Sequence, residues 1–229
     1  MIEFLKKLYR KNDFFFYILN PIKRCKNYLN YIIYSDKNFI QKAFKKNLGY
    51  TLNLDFPQTL NEKIQWLKLN DRRDIHTICA DKFLVRNYIK ELIGEEYLIP
   101  LICLLDNPEN INPEHLPNTP FIIKTNHDSG SVTIVRDKTK INWSSVKNKF
   151  KSSFKNNFYY VGREWQYKNI KPKIIIEELL LDSNNNIPND FKLHCFNGKV
   201  FCILVEVDRF ENHKKNLYSK DWEILQCDW

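Results

Sequence analysis

The stretch Phe121-Ile122-Ile123-Lys124-Thr125-Asn126-His127-Asp128-Ser129-Gly130-Ser131-Val132-Thr133-Ile134-Val135 places a small polar loop between two short apolar runs. Runs of this length bounded by Asn, Asp, Ser and Gly read as strands, so the segment is a hairpin with a lysine at the end of its first strand. Such a loop can turn backbone N–H groups toward phosphate oxygens, with the lysine as a point charge. Taken alone it is equally an ordinary turn, since it is neither a Walker A sequence nor G-x-G-x-x-G.

Working outward, the C-terminal side gives further strands. Ile174-Ile175-Ile176-Glu177-Glu178-Leu179-Leu180-Leu181-Asp182 is an apolar run ending in acids and entering the turn-like Ser183-Asn184-Asn185-Asn186; the expected strand covers 173–181. In Asp190-Phe191-Lys192-Leu193-His194-Cys195, period two puts Asp190, Lys192 and His194 on one face. Asn197-Gly198 then supplies the strongest hairpin signal in the chain. On the N-terminal side, helical patterning dominates. Ser35 and Gly49 bracket a helix over 36–48, and Thr59-Leu60-Asn61-Glu62 fits the S/T-x-x-E capping box. Residues 75–93 carry a helical stripe that stops at Gly94, a strand is expected over 98–105, and another helix over 143–156. Helices, then strands, a helix and more strands make an α+β protein.

Composition narrows the function classes. The 229 residues are 43% hydrophobic and 28% charged, enough for a buried core, and the net charge is +9. The excess is local: residues 1–50 hold eleven Lys/Arg against Glu3, Asp13 and Asp36, whereas the remainder is nearly neutral. A near-neutral body without a recognisable module argues against nucleic-acid binding. The lead over residues 1–34 alternates basic and aromatic residues, with Pro21 interrupting its helical pattern. It reads either as a helix lying against an anionic membrane or as an amphipathic helix packed on the body. No apolar run approaches the length of a spanning helix and no signal pattern opens the chain, so the expected location is cytoplasmic, with peripheral contact at the inner membrane face as the alternative. Six cysteines without C-x-x-C pairs read as reduced thiols.

Several motifs together resemble one family. Thr59-Leu60-Asn61-Glu62-Lys63-Ile64-Gln65-Trp66-Leu67-Lys68, Ala80-Asp81-Lys82, Gly94-Glu95-Glu96-Tyr97-Leu98-Ile99-Pro100, Lys124 with Asn126-His127 and Ser129-Gly130, Gly162-Arg163-Glu164-Trp165, Glu177-Glu178, Asp190-Phe191-Lys192, and Asp208-Arg209 with Asn212-His213-Lys214 are similar to the TupA-like, teichuronopeptide-synthesis branch of the ATP-grasp superfamily. The likeness runs from about Leu48 onward. It implies two α+β subdomains closing on ATP, divided into a helical part over 35–96, a lid over about 118–172 and core strands over 173–229. It also implies ATP and Mg²⁺ as cofactors and the chemistry of carboxylate–amine ligases.

Carried over by position, Lys124 would hold nucleotide phosphates and the Asn126, His127, Ser129 and Gly130 loop would cover them. Glu177, Glu178 and Leu180 would line adenine, and Asp182 would take the ribose. Lys192 and Arg209 would meet the transferring phosphate or acceptor carboxylate, and His213 and Lys214 an anionic substrate. The expected partners are an amino acid or amine and an acidic sugar or polysaccharide acceptor of the cell envelope, such as a capsule. Two departures accompany the likeness: Asp128 and Ser131 stand where the family usually has glycine, and relatives carry their Mg²⁺-holding acids in a segment beyond the position matching Trp229. The expectation is therefore a chain with an unidentified metal site, without the last core strands, and with weak turnover. Competing readings are a glycosyltransferase-like protein, for which no D-x-D is present, and a non-catalytic ATP-grasp fragment.

Overall fold

The computed structural model describes residues 13–208 and 213–226. The chain divides into two compact units, the first ending at Glu178 and the second starting at Leu179.

Among the described residues of the first unit, five α-helices precede the sheet: α1 (Asp13–Ile33), α2 (Asp36–Leu48), α3 (Leu60–Asn70), α4 (Asp74–Ala80) and α5 (Leu84–Leu92). The caps form as the residue types dictate. Ser35 accepts from Asn38 N–H to start α2, and Gly49, at φ 81°, ends it in the left-handed conformation. Thr59 and Glu62 form the reciprocal capping box of α3; the three backbone N–H groups of Asn53, Gln58 and Thr59 that the Glu62 carboxylate accepts hold its pKa below the usual range.

Two expectations change. The helix expected over 75–93 is two helices, because the Asp81 carboxylate accepts from Phe83 and Leu84 N–H and starts a new helix there. Helix α1 runs through Pro21 rather than ending at it. Proline costs one ladder bond and crowds the preceding turn, and α1 compensates through anchors on both sides of the ring's position: Asn20 Nδ2 donates to Ser152 Oγ at 2.6 Å, and Tyr31 stacks on Tyr160 at 4.6 Å.

The sheet of this unit has the order β1-β4-β2-β3 and is antiparallel throughout, from β1 (Leu101–Leu105), β2 (Phe121–Thr125), β3 (Val132–Val135) and β4 (Ile174–Glu178). Strand β1 starts later than expected, after Pro100, which has no N–H to give the ladder. β4 is shorter than the expected run because the chain leaves the sheet at Leu179. One sheet face carries Phe121, Ile123, Ile174 and Ile176, packed with Val146 and Phe150 of α6 (Trp143–Phe154) and with Ile111 and Leu116. Each such side chain contributes roughly 1.5 to 3 kcal/mol by leaving water. The opposite face presents Lys124 and Glu177. A short helix, α7 (Tyr159–Gly162), follows α6 and ends at Arg163, a fully buried residue with φ 55°.

The second unit is an antiparallel sheet of order β5-β6-β7-β8: β5 (Asp190–Phe196), β6 (Lys199–Val207), β7 (Lys214–Ser219) and β8 (Ile224–Leu225). Asn197 and Gly198 join β5 to β6 at φ 49° and 75°, the two positive angles a two-residue hairpin requires. No helix among the described residues is long and apolar enough to cross a membrane. Cys25, Cys79, Cys103, Cys195 and Cys202 are free thiols.

Candidate functional site

Lys124 sits at the end of β2, and cross-strand register puts Ile122 opposite Glu177 and Lys124 opposite Ile175, all on the face away from the apolar core. Here the Lys124 ammonium pairs with one oxygen of the Glu177 carboxylate. The other oxygen accepts from Arg86 Nη1 at 2.8 Å, while Arg86 Nη2 donates to the Ile99 carbonyl at 2.8 Å. Glu177 is 2% exposed, so its charge is sustained by two cations, one from α5 and one from β2.

The loop after β2 is organised by buried polar groups. Asn126 is fully buried: its Nδ2 donates to Asp81 Oδ2 and to the Lys171 carbonyl, both at 3.0 Å, and its Oδ1 accepts from Lys173 N–H at 2.7 Å. His127 is also inward, with Nε2 3.2 Å from the Ser153 carbonyl and the ring edge-on to Phe154. Burial pushes its imidazole pKa below the usual value, against the pull of Asp128. The Asp128 carboxylate accepts from the Thr125 hydroxyl and, at 2.5 Å, from that of Ser131, while the Lys82 ammonium donates to the Asp128 carbonyl. Burial lowers the Lys82 pKa, with Asp128 opposing the shift.

Asp128 and Ser131, the two departures from glycine, thus bond each other and close the loop at its base. The exposed part of the loop is Ser129 and Gly130, the latter at φ 98° with open space around the position of a Cβ.

Of the residues expected at adenine and ribose, Glu177 is the buried partner of Lys124 and Arg86, whereas Glu178 and Leu180 are exposed. Asp182 is exposed and accepts through one oxygen from Asn184 and Asn186 N–H, shaping the 182–186 turn. In the second unit, Lys192 Nζ lies 2.5 Å from Glu206 Oε2 and 3.3 Å from Asp190, and His213 Nε2 lies 3.6 Å from Glu206 Oε1. Lys214 pairs with Val207 in register and points to the other face; its neighbour Lys215 reaches Glu206 at 3.5 Å instead. Arg209 lies outside the described residues.

Sequence reasoning assigned no role to Arg86, Lys82 or Lys215, and named Glu206 only with Glu177, Glu178, Asp190 and Asp208 as fallback metal ligands in case the chain turns over. Lys82 was within reach, because Ala80-Asp81-Lys82 was visible as a motif; Glu206 and Lys215 required the register of β6 and β7.

A family model described as TupA-like ATPgrasp matches residues 62–228. The chain belongs to the TupA-like ATP-grasp family. The TupA-like match covers every one of the motif residues above from Glu62 onward, including Lys124, Glu177, Lys192 and Arg209. No match to the chain was found among the curated proteins or the solved structures. ATP-grasp proteins are typically ATP-dependent ligases, and the family generally uses ATP and Mg²⁺. Among the described residues no three His, Cys, Asp or Glu side chains converge to hold a metal ion. The acids nearest the loop are already committed, Asp128 to two hydroxyls and Glu177 to two cations. These residues do not fit a magnesium site.

Proposed function

We propose that this chain is an ATP-dependent carboxylate–amine ligase of cell-surface polysaccharide biosynthesis, joining an amino acid or amine to an acidic glycan. The observation that carries the reading is Lys124, held at a strand end by Glu177 and followed by the exposed Ser129–Gly130 turn. In the reaction, an acceptor carboxylate oxygen attacks the γ-phosphorus of ATP and ADP leaves. The amine then attacks the acyl carbon, phosphate departs, and the amine nitrogen loses a proton. Lys124 and the Ser129–Gly130 turn serve the phosphates, because a cation and backbone donors offset charge that builds on the transferring group. Lys192, Arg209 and His213 are the proposed contacts for anionic groups, and Glu178, Leu180 and Asp182 those for adenine and ribose, on the family likeness alone.

The test is nucleotide binding by calorimetry together with ADP release in the presence of amino acids and uronic-acid acceptors. Lys124→Ala is expected to weaken ATP at least tenfold with the fold retained. Unchanged affinity removes Lys124 from the site, and sugar transfer from a nucleotide-sugar without ADP release would establish the glycosyltransferase alternative. Binding of ATP without acceptor-dependent ADP release would establish the non-catalytic alternative.

Helix α1 supports peripheral attachment to an anionic membrane as a second element of the reading. Its outward side carries Ile22, Leu29, Ile32 and Ile33, each about half or more exposed, on a segment rich in Lys and Arg. Ile22→Ser combined with Leu29→Ser should reduce co-sedimentation with phosphatidylserine vesicles; unchanged binding would leave that face without a membrane role.

A further inference from the structure

One side of helix α1 is polar, with Asn20 buried and Lys23 exposed. Asn20, Lys23, Arg24 and Asn27 recur at i, i+3, i+4 and i+7, one side of the helix, and that side lines a cleft of about 380 Å³. The opposite wall is the Ser129-Gly130-Ser131 turn, with Ser153, Asn156 and Asn157 from the end of α6 and the segment after it. The helix is fastened at both ends of this span, by the Asn20–Ser152 hydrogen bond on one side and on the other by Tyr31 stacked on Tyr160 and Tyr28 edge-on to it at 5.6 Å. Between these anchors the cleft stays open over roughly three helical turns.

The lining is rich in donors. Lys23 and Arg24 bring two positive charges; Asn27, Asn156, Asn157 and Ser129 bring amide and hydroxyl hydrogens. Among the described residues the backbone N–H groups of Ser129 and Gly130 have no acceptor. Asp128, the one acid among the described lining residues, has both carboxylate oxygens engaged by the hydroxyls of Thr125 and Ser131 at the base of the loop. Lys124 is not part of this lining. Two cations with several neutral donors spread over opposite walls suit a tetrahedral, doubly charged oxyanion better than a planar carboxylate, which one bidentate partner satisfies.

We propose that the cleft between α1 and the Ser129–Ser131 turn is a phosphate-binding site, clamped by Lys23 and Arg24, in addition to the Lys124 site. Both residues lie before residues 62–228, the stretch that the family model matches. The clamp's existence is independent of the ligase reading; its role rests on that reading, and is to hold a phosphate of either the nucleotide or a phosphorylated acceptor.

The experiment uses the full 229-residue chain, titrated in low salt with inorganic pyrophosphate and separately with ATP. The variants are K23A/R24A, and N27D, which adds a carboxylate to the cleft without touching either cation. Both variants are expected to weaken pyrophosphate at least tenfold with an unchanged melting temperature, and the affinity left in K23A/R24A should lose much of its salt dependence. If ATP weakens in parallel, the phosphate belongs to the nucleotide; if ATP binding holds, it belongs to the acceptor. Absence of pyrophosphate binding by the unaltered chain, or binding within twofold in both variants, overturns the proposal. Failure of the ligase reading registers separately, as unaltered protein that takes pyrophosphate through Lys23 and Arg24 but gives no acceptor-dependent ADP release.

Discussion

Replacing Asn126 by alanine separates a structural role from a nucleotide-binding one. The side chain makes three hydrogen bonds inside the protein, one to the Asp81 carboxylate and two to backbone groups of Lys171 and Lys173. A bond to a charged acceptor contributes about 1.5 to 3 kcal/mol and each neutral one about 1 kcal/mol. Alanine cannot replace any of them, and Asn126 is fully buried, so the expected loss is about 4 kcal/mol. For a unit of this size that lowers the melting temperature by about 8 to 16 °C. The matched control is Ser129→Ala in the exposed turn, whose cost should stay within about 0.5 kcal/mol. Urea and thermal unfolding followed by circular dichroism, with ATP calorimetry on both variants, make the comparison. An Asn126→Ala protein that melts within 2 °C of the unaltered chain, as a rough bound on measurement scatter, yet binds ATP tenfold more weakly, would refute the assignment of Asn126 to loop architecture.

Two further outcomes follow from buried groups. His127 has its pKa lowered by burial, so it is neutral in the folded state while the unfolded chain takes up a proton below about 6.5. Its stabilising effect is therefore full above that value and is lost as the pH falls toward the folded-state pKa, at up to about 1.4 kcal/mol per pH unit; His127→Gln should flatten urea midpoints between pH 7 and 5, and an unaltered slope would remove His127 as the cause. Arg163 is fully buried, lies 4.1 Å over the Phe39 ring and 3.3 Å from Asp36, and donates to the Tyr160 carbonyl, so Arg163→Met should cost about 3 kcal/mol in urea unfolding. The low end applies because Asp36 keeps Arg72 and the Tyr159 hydroxyl, whose own pKa is driven up mainly by burial and then by that carboxylate; a cost under about 1 kcal/mol would refute the anchor.

Local chemistry made the caps and hairpins legible in the sequence. Ser35, Gly49, the Thr59–Glu62 box and Asn197-Gly198 act within a few residues of themselves, so their pattern is their structure. Strand ends were less legible because Pro100 and the exit of the chain at Leu179 limit pairing through partners distant in sequence. The site was legible in its components and not in its contacts. A run such as Asn126-His127-Asp128 offers three polar side chains, and nothing local says that all three turn inward to Asp81, Ser153 and Thr125, while only Ser129 and Gly130 remain exposed. Pro21 misled for the opposite reason: tertiary anchors at Asn20 and Tyr31 outweigh a propensity cost confined to one turn.

The Arg86–Glu177–Lys124 cluster connects this architecture to the proposed chemistry. A lysine facing solvent beside a nucleotide site would be free to reorient, whereas the buried Glu177 fixes the partly exposed Lys124 on its strand. When a phosphate approaches, Lys124 can exchange one anionic partner for another without leaving Glu177 bare, because Arg86 still holds the carboxylate at 2.8 Å and is itself fixed on the Ile99 carbonyl. The exchange trades one ion pair for another of the same kind, so its cost is small beside the attraction of ATP's roughly four negative charges. Removing Lys124 leaves the carboxylate paired with Arg86 through one oxygen, while the other, buried oxygen loses the lysine. The Lys124→Ala protein should therefore stay folded at a cost of about 1 to 3 kcal/mol, and a loss of ATP binding in protein shown folded by circular dichroism reports on the phosphate contact.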